Sequence, residues 1–405
     1  MAEASQGHYG AIVVGAGIVG LAVARELRRR APDARIAVID QAQIVAAHQS
    51  GHNSGVIHGG IYYTPGSLKA RLCVEGSRLM YDYCDEHGIP HERCGKLIVA
   101  RHEGELGRLD ELERRGRANG VPGLRRVAGR DIPDIEPNAV GVQALHAPGT
   151  GIVDYGRVAE AIAEELRAGG VELLLGRTVQ RVTPQGAGAI VRHDRGQLRA
   201  DRVIVCAGLW SDRIARRCGA PADPRIVPFR GAYLRLQATD PPVVRGMVYP
   251  VPDPELPFLG VHVTPHVAGQ VMLGPTALAV ASRAGYRLRR VSARDVWETA
   301  SWPGTWRVAG RFWRTGLDEV RLAASRRAFV AACAEYVPSL TVEDLDGTTA
   351  AGVRAQAVGR DGSLVDDFVI ARDGPVSHVR NAPSPAATSA FALAAEILRR
   401  TETGR

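Results

Sequence analysis

Ala11-Ile12-Val13-Val14-Gly15-Ala16-Gly17-Ile18-Val19-Gly20 decides the reading of this chain, and Asp40 completes it. Ala11–Val14 is a continuous apolar run, as a strand buried on both faces requires, and a glycine turn follows directly. Gly15 permits the tight turn, Gly17 lets the backbone approach a pyrophosphate, and Gly20 lets the next helix lie flat on the sheet. The helix N-terminus at Ile18 and Val19 presents partial positive charge to the phosphates. A second strand, Arg35–Ile39, ends in Asp40 about 20 residues past the last glycine, where a carboxylate bonds a ribose hydroxyl. A glycine triplet alone is a weak signal. Strand, turn, helix, strand and acid at this spacing together predict a βαβ unit built for an adenine dinucleotide.

The rest of the chain sets bounds on that unit. With 405 residues, 45% apolar and 23% charged, it has the composition of a globular protein and the length for two domains. No apolar run of about 20 residues escapes interruption by glycine, so no transmembrane segment is expected. Met1–Tyr9 holds no lysine or arginine, so no signal peptide is expected. A net charge of +8 raises the question of nucleic acid, but the arginines lie beside acids, as in Arg101–Arg117, and form no aromatic-interleaved patch. That pattern reads as solvated faces with no nucleic-acid partner, attraction of anionic substrates or of a membrane surface being the weaker alternative. Lys69 and Lys96 are the only lysines. Cys73, Cys84, Cys94, Cys206, Cys218 and Cys333 show neither CxxC nor His-paired spacing, so no metal is expected, and they fit buried thiols of a reducing cytoplasm.

Periodicity predicts helices over Ser67–Gly88, Glu103–Asn119 and Asp154–Gly170, with strands at Lys96–Ala100, Val171–Leu175 and Arg177–Val182. Arg202–Cys206, Ala207-Gly208 and a helix over Trp210–Cys218 repeat the strand–glycine–helix order far from the first unit. Pro224–Val291 changes to short strands: Arg230–Leu236, Met247–Tyr249, Gly260–Thr264 and Val271–Gly274. Ser292–Val337 is helical, and its Trp297, Trp302, Trp306 and Trp313 read as core. The last helix is expected over Ala386–Arg400. The expectation is a nucleotide-binding domain over residues 1–93, 152–222 and 346–405, interleaved with a substrate domain over 94–151 and 223–345.

The segment His48-Gln49-Ser50-Gly51-His52-Asn53-Ser54-Gly55-Val56-Ile57-His58-Gly59-Gly60-Ile61-Tyr62-Tyr63 strongly resembles the flavin-contacting loop of the L-2-hydroxyglutarate oxidase/dehydrogenase family, within the D-amino-acid-oxidase-like flavoproteins. The likeness continues in family order through Tyr63–Lys69, Cys94-Gly95-Lys96, Pro228-Phe229-Arg230-Gly231, Pro252–Pro254, Phe258–His262, Ala351–Gln356, Asp366-Asp367-Phe368 and Asn381–Ser389. It implies an α/β fold: a Rossmann-like FAD-binding domain interleaved with an α+β substrate domain on a mixed or antiparallel sheet. It implies FAD rather than NAD, and oxidation of an L-2-hydroxy acid to a 2-oxo acid, with hydride passing to flavin N5 and a base taking the hydroxyl proton. Oxygen, a quinone or another acceptor would then take the electrons. A cytoplasmic enzyme follows, with peripheral membrane contact left open. The alternative is an FAD-dependent oxidase of a different hydroxy or amino acid.

On the family motifs, the residues expected at FAD are Gly15, Gly17, Ile18, Val19, Gly20, Asp40, Gln49, Ser50, His52, Asn53, Ser54, Gly55, Val179, Ala207, Gly208, Trp210, Arg354, Asn381, Pro383, Ser384, Pro385, Ala386, Ala387 and Thr388. Asn381–Ala387 would open the last helix with its N–H groups toward the flavin pyrimidine carbonyl, and Gly59-Gly60 would pass close to the flavin ring. His58 is the favoured base, ahead of a structural hydrogen-bonder or a covalent flavin anchor. Arg230 and Arg354, one in each domain, are the candidates to fork a carboxylate. His262, His378, Tyr62 and Lys69 are second-rank site residues. Three positions depart from the family pattern, Ala232 in place of an acid, His266 near an expected arginine and Thr276 in place of asparagine, and all fall in the substrate domain.

Overall fold

The computed structural model describes residues 7–253 and 260–402. Residues 1–6, 254–259 and 403–405 lie outside the described residues, and with them Pro254, Phe258 and Leu259 of the family-like motifs.

One sheet carries the nucleotide-binding unit. His8–Val14 lies between Ile36–Ile39 and Gly196–Val205 and is parallel to both. Glu172–Leu174 extends it parallel beyond Ile36–Ile39, and Val376–Asn381 joins the far half of Gly196–Val205. The antiparallel Val179–Gln185 and Gly188–His193 finish the edge. Helices Ile18–Arg30, Tyr155–Ala168 and Ala390–Glu402 bury their apolar residues together, with Leu21, Val23, Ile162, Leu393 and Ile397 all closed to solvent. The expected strand–turn–helix–strand is present: Gly15 has a φ of +116°, and a Cβ there would overlap the Cys206 carbonyl.

The second sheet runs Leu278–Ala279, Arg225–Leu236, Val271–Gly274, His262–Pro265, Met247–Pro250, Lys96–Ala100, Gln143–Ala147 and Arg125–Ala128. Its pairs are antiparallel except that of Met247–Pro250 with Lys96–Ala100. Leu345–Val358, which the sequence reading assigned to the nucleotide-binding domain from residue 346, pairs along its length with Arg225–Leu236 of this sheet. A buried ion-pair network ties the Ser211–Arg217 helix to the Ala293–Ala300 helix. Arg283 meets Asp212 and, at 3.2 Å, Glu298, while Arg213 meets Asp295 and, at 2.6 Å, Glu298.

Two expectations are corrected here. Trp302 is core, its Nε1 donating to Val358 O, but Trp297, Trp306 and Trp313 are exposed, at 72%, 65% and 57%. The run is four separate helices whose outward residues those are. The last regular helix begins at Ala390, four residues late, with turn-bonded residues in place of its expected first turn. Turns closed by Ala386 N to Pro383 O and Ser389 N to Pro385 O precede it.

Candidate functional site

A cavity of about 640 Å³ runs between the two sheets. The helix N-terminus at Gly17–Gly20, whose first N–H groups have no intrahelical acceptor, forms one wall. Ser50 Oγ accepts from Ile18 N at 2.9 Å, and Asp40 accepts from Ala16 N at 2.7 Å and Ala42 N at 2.8 Å. Each carboxylate oxygen of Asp40 keeps a lone pair for a sugar hydroxyl. Asn53 fixes the loop beneath it, donating to Gln49 O and Ser50 O and accepting from Gly55 N. Val179, Ala207, Gly208 and Trp210 line the same cavity, with Trp210 packed on His48 at 4.6 Å between ring centroids.

Asn381–Thr388 closes the opposite side. Asn381 Nδ2 donates to Val365 O and Asp367 O, and Thr388 Oγ1 accepts from His58 N at 3.1 Å and meets Tyr155 OH at 2.9 Å. The N–H groups of Ala387 and Thr388 have no acceptor among the described residues, as a pyrimidine carbonyl at this wall requires. Every residue expected at FAD lines the cavity except Gly55. That glycine, at φ +70°, seats the loop on Val153 instead, where Val153 N donates to its carbonyl at 2.8 Å. Gly59 and Gly60 are also outside the cavity wall, and a Cβ on Gly60 would meet Val74 of the Leu68–Glu86 helix. An open phosphate cradle, an acid at ribose distance and unpaired N–H groups facing them make a site that fits FAD.

His58 lines the cavity with Nε2 3.4 Å from Ser384 Oγ. Burial first, then the charges of Lys96, Lys69 and Arg354, hold its imidazole well below the ordinary 6.5, so it is neutral at neutral pH. Lys69 and Arg354 line the same space. Lys69 Nζ pairs with Asp366 at 2.7 Å, and the next acid, Asp367, caps the helix that carries it by accepting from Leu68 N and Lys69 N.

The other candidates lie elsewhere. Arg354 pairs with Phe229 and Val353 with Arg230, and neighbouring positions of a strand point to opposite faces, so Arg230 is turned away from Arg354. Its Nε donates to Tyr286 O. Neither His262 nor Tyr62 lines the cavity. His262 stacks on Tyr249 at 3.8 Å and meets Thr264 Oγ1 through Nδ1 at 3.0 Å. His378 belongs to the first sheet, opposite Val205, and does not join this group. Of the departures, Thr276 Oγ1 accepts from Ala232 N at 3.0 Å, and His266 lies in a turn over Gly55; none lines the cavity.

Tyr233, which lines the cavity, was not among the sequence candidates, while Lys96 and Tyr249 lie outside its lining. Lys96 is 2% exposed, with Nζ 4.0 Å from the Tyr249 ring centroid and 5.4 Å from that of Tyr62.

Residues 11–400 match the model of the family described as FAD dependent oxidoreductase. The chain is 45% identical over 408 residues to a protein of Nematostella vectensis named L-2-hydroxyglutarate dehydrogenase, mitochondrial, covering 96% of this chain and 89% of that protein. It is 42% identical to the L-2-hydroxyglutarate dehydrogenase of Indibacter alkaliphilus, over 95% of this chain and 97% of that protein. Among solved structures, FAD-bound L-alpha-glycerophosphate oxidase from Mycoplasma pneumoniae is similar, with TM-score 0.80 at 22% identity over 97% of this chain and 94% of that one. Glycine oxidase from Geobacillus kaustophilus follows the same fold, with TM-score 0.73 at 19% identity over 98% and 96%.

Proposed function

The chain belongs to the FAD dependent oxidoreductase family, and from that premise we propose that it oxidises the Cα hydroxyl of an L-2-hydroxy acid, L-2-hydroxyglutarate or a close relation, to the 2-oxo acid. The observation that carries this reading is that a neutral His58 lines the same cavity as Arg354 and the Lys69–Asp366 pair. Bound FAD supplies the acceptor for the electron pair that leaves Cα. His58 takes the hydroxyl proton at its free ring nitrogen, and Ser384 Oγ, 3.4 Å from Nε2, orients the ring. Arg354 holds the α-carboxylate, since its planar donors match a carboxylate, and the buried surround excludes water and strengthens that contact. Lys69 is neutralised by Asp366 and shapes the site rather than binding the substrate.

The reading is tested on the purified protein by its visible spectrum and by anaerobic bleaching with a panel of L-2-hydroxy acids and their D-enantiomers. Yellow protein bleached by the L-series supports it. Bleaching by amino acids alone moves the activity to C–N bonds, and bleaching by nothing leaves a flavin-binding protein without this chemistry.

A second feature bears on the electron acceptor. No described helix is long and apolar enough to cross a membrane. Trp313, Leu317 and Val320 nevertheless form an exposed stripe along one helical face, Trp306 and Trp297 are exposed on the two preceding helices, and Arg294, Arg311, Arg314 and Arg321 lie on the same three helices. Exposed tryptophans rimmed by arginine fit an anionic lipid surface. Glu319, on the inner side of the same helix, accepts from Ala277 N at 2.6 Å and acts on Arg354, so the outer face and the carboxylate site share one helix. A lipid-soluble quinone at that surface is the acceptor this arrangement favours.

A further inference from the structure

His58 sits on backbone that regular structure does little to fix. The strand before it, Val56–Ile57, is two residues long and pairs with Gly151 and Ile152, while Gly59 and Gly60 follow it, Gly60 at a φ of +94°. Two distant segments supply what the local structure lacks. His58 N donates to Thr388 Oγ1 at 3.1 Å, and Thr388 Oγ1 meets the Tyr155 hydroxyl at 2.9 Å. Val56 O lies 3.2 Å from Thr388 Oγ1 and 3.0 Å from the Tyr155 hydroxyl. Three donors, the His58 N–H and two hydroxyls, thus meet three acceptors, the two hydroxyl oxygens and Val56 O. Thr388 is 1% exposed and Tyr155 3%, and a polar cluster buried that deeply is stable only when complete. Burial pushes the Tyr155 hydroxyl well above 10, so it remains a donor. Thr388 faces two ways: its N–H belongs to the wall that fits the flavin pyrimidine, and its hydroxyl is engaged with His58 and Val56. All four residues line the cavity.

We propose that Thr388 and Tyr155 are positioning residues for His58, their paired hydroxyls setting the place of its imidazole relative to the wall that holds the flavin. This rests on the hydroxy-acid reading above and adds the residues that hold its base. Thr388 is the joint, because one residue carries both the N–H at the flavin wall and the oxygen that takes the His58 N–H. Tyr155 locks the joint by fixing the Thr388 hydroxyl against Val56 O. Neither hydroxyl takes part in the bond changes at Cα. Both act through the backbone of His58, where a shift of about 1 Å is enough to cost roughly 10² in rate.

The test uses the FAD-loaded protein and Thr388→Val, which keeps the side-chain volume and loses the hydroxyl. Amide hydrogen exchange at His58, read without substrate by mass spectrometry with electron-transfer fragmentation, is expected to quicken roughly three- to tenfold in Thr388→Val. In Thr388→Ser, which restores the hydroxyl, it stays at the parent value. Anaerobic flavin reduction by an L-2-hydroxy acid is expected to fall roughly 10–10²-fold in the valine variant, with FAD retained and its visible spectrum unchanged, and to recover in the serine variant. In a His58→Gln background Thr388→Val adds almost nothing, because its effect passes through His58. A valine variant that imposes its full loss in that background, that reduces its flavin at the parent rate, or that leaves exchange at His58 unchanged overturns the proposal. Tyr155→Phe, which keeps the ring, lowers flavin reduction roughly three- to tenfold and serves where the valine variant does not fold; a rate unmoved in it counts equally against the proposal. If exchange at His58 responds as expected but no L-2-hydroxy acid bleaches the parent, the positioning of His58 stands and only the hydroxy-acid reading fails.

Discussion

His58 Nε2 and Ser384 Oγ lie 3.4 Å apart, although 326 positions separate them along the chain. The contact joins the loop after the first βαβ unit to the segment before the last helix, and it orients the group assigned to take the substrate proton.

His58→Gln is expected to retain FAD and to lose roughly 10²–10⁴ of the rate of flavin reduction, the usual worth of a positioned base. Because the imidazole is held well below 6.5, and protonation is what disables it, kcat/KM of the parent stays level as pH falls through 6.5 and declines only further into acid. Stopped-flow reduction across pH measures both. A parent profile that breaks at 6.5, or a variant as fast as the parent, removes His58 from this role.

Arg354→Lys keeps the charge but loses the paired donors, and it is expected to raise the apparent substrate constant at least roughly tenfold. Arg230→Lys, on the other face of the strand, is expected to change that constant by much less. Steady-state kinetics of the two variants side by side decide between the two arginines.

Asp212→Ala removes one of the two carboxylates paired with the Arg283 guanidinium, which is 2% exposed and keeps only Glu298 at 3.2 Å. The expected cost is about 3–5 kcal/mol of stability, seen as an earlier urea midpoint in the FAD-loaded protein. A midpoint within error of the parent shows that the network contributes nothing net.

Trp306→Ser combined with Trp313→Ser and Leu317→Ser is expected to abolish sedimentation with vesicles of phosphatidylglycerol and to leave flavin bleaching intact, since these side chains face outward. Parent protein that ignores such vesicles, or that forms a dimer through this face in ultracentrifugation, rejects the lipid assignment. Reoxidation of the reduced parent by a short-chain quinone faster than by oxygen identifies the acceptor.

The nucleotide half of the molecule was legible because it depends on local signals: an apolar strand, glycines at fixed offsets and an acid at the next strand end. The His48–Tyr63 loop was legible by its likeness to a family. Arg230 and Arg354 looked equivalent because face is set by the register between Arg225–Leu236 and Leu345–Val358, which neither strand states alone. Trp302 is core as read, but Trp297, Trp306 and Trp313 were misjudged because helical spacing reports which residues share a face and not what that face meets.

The wall formed by Asn381–Thr388 has a consequence for how the protein is made. A ribosome delivers the glycine turn and the His58 loop first and this wall more than three hundred residues later. Until then His58 lacks its contacts with Thr388 and Ser384, the Asp367 cap on the Leu68–Glu86 helix is missing, and the cavity is open on one side. A nascent chain therefore makes the phosphate end of the cradle long before it can enclose the ring that carries electrons, so redox competence waits for the Asn381–Thr388 wall.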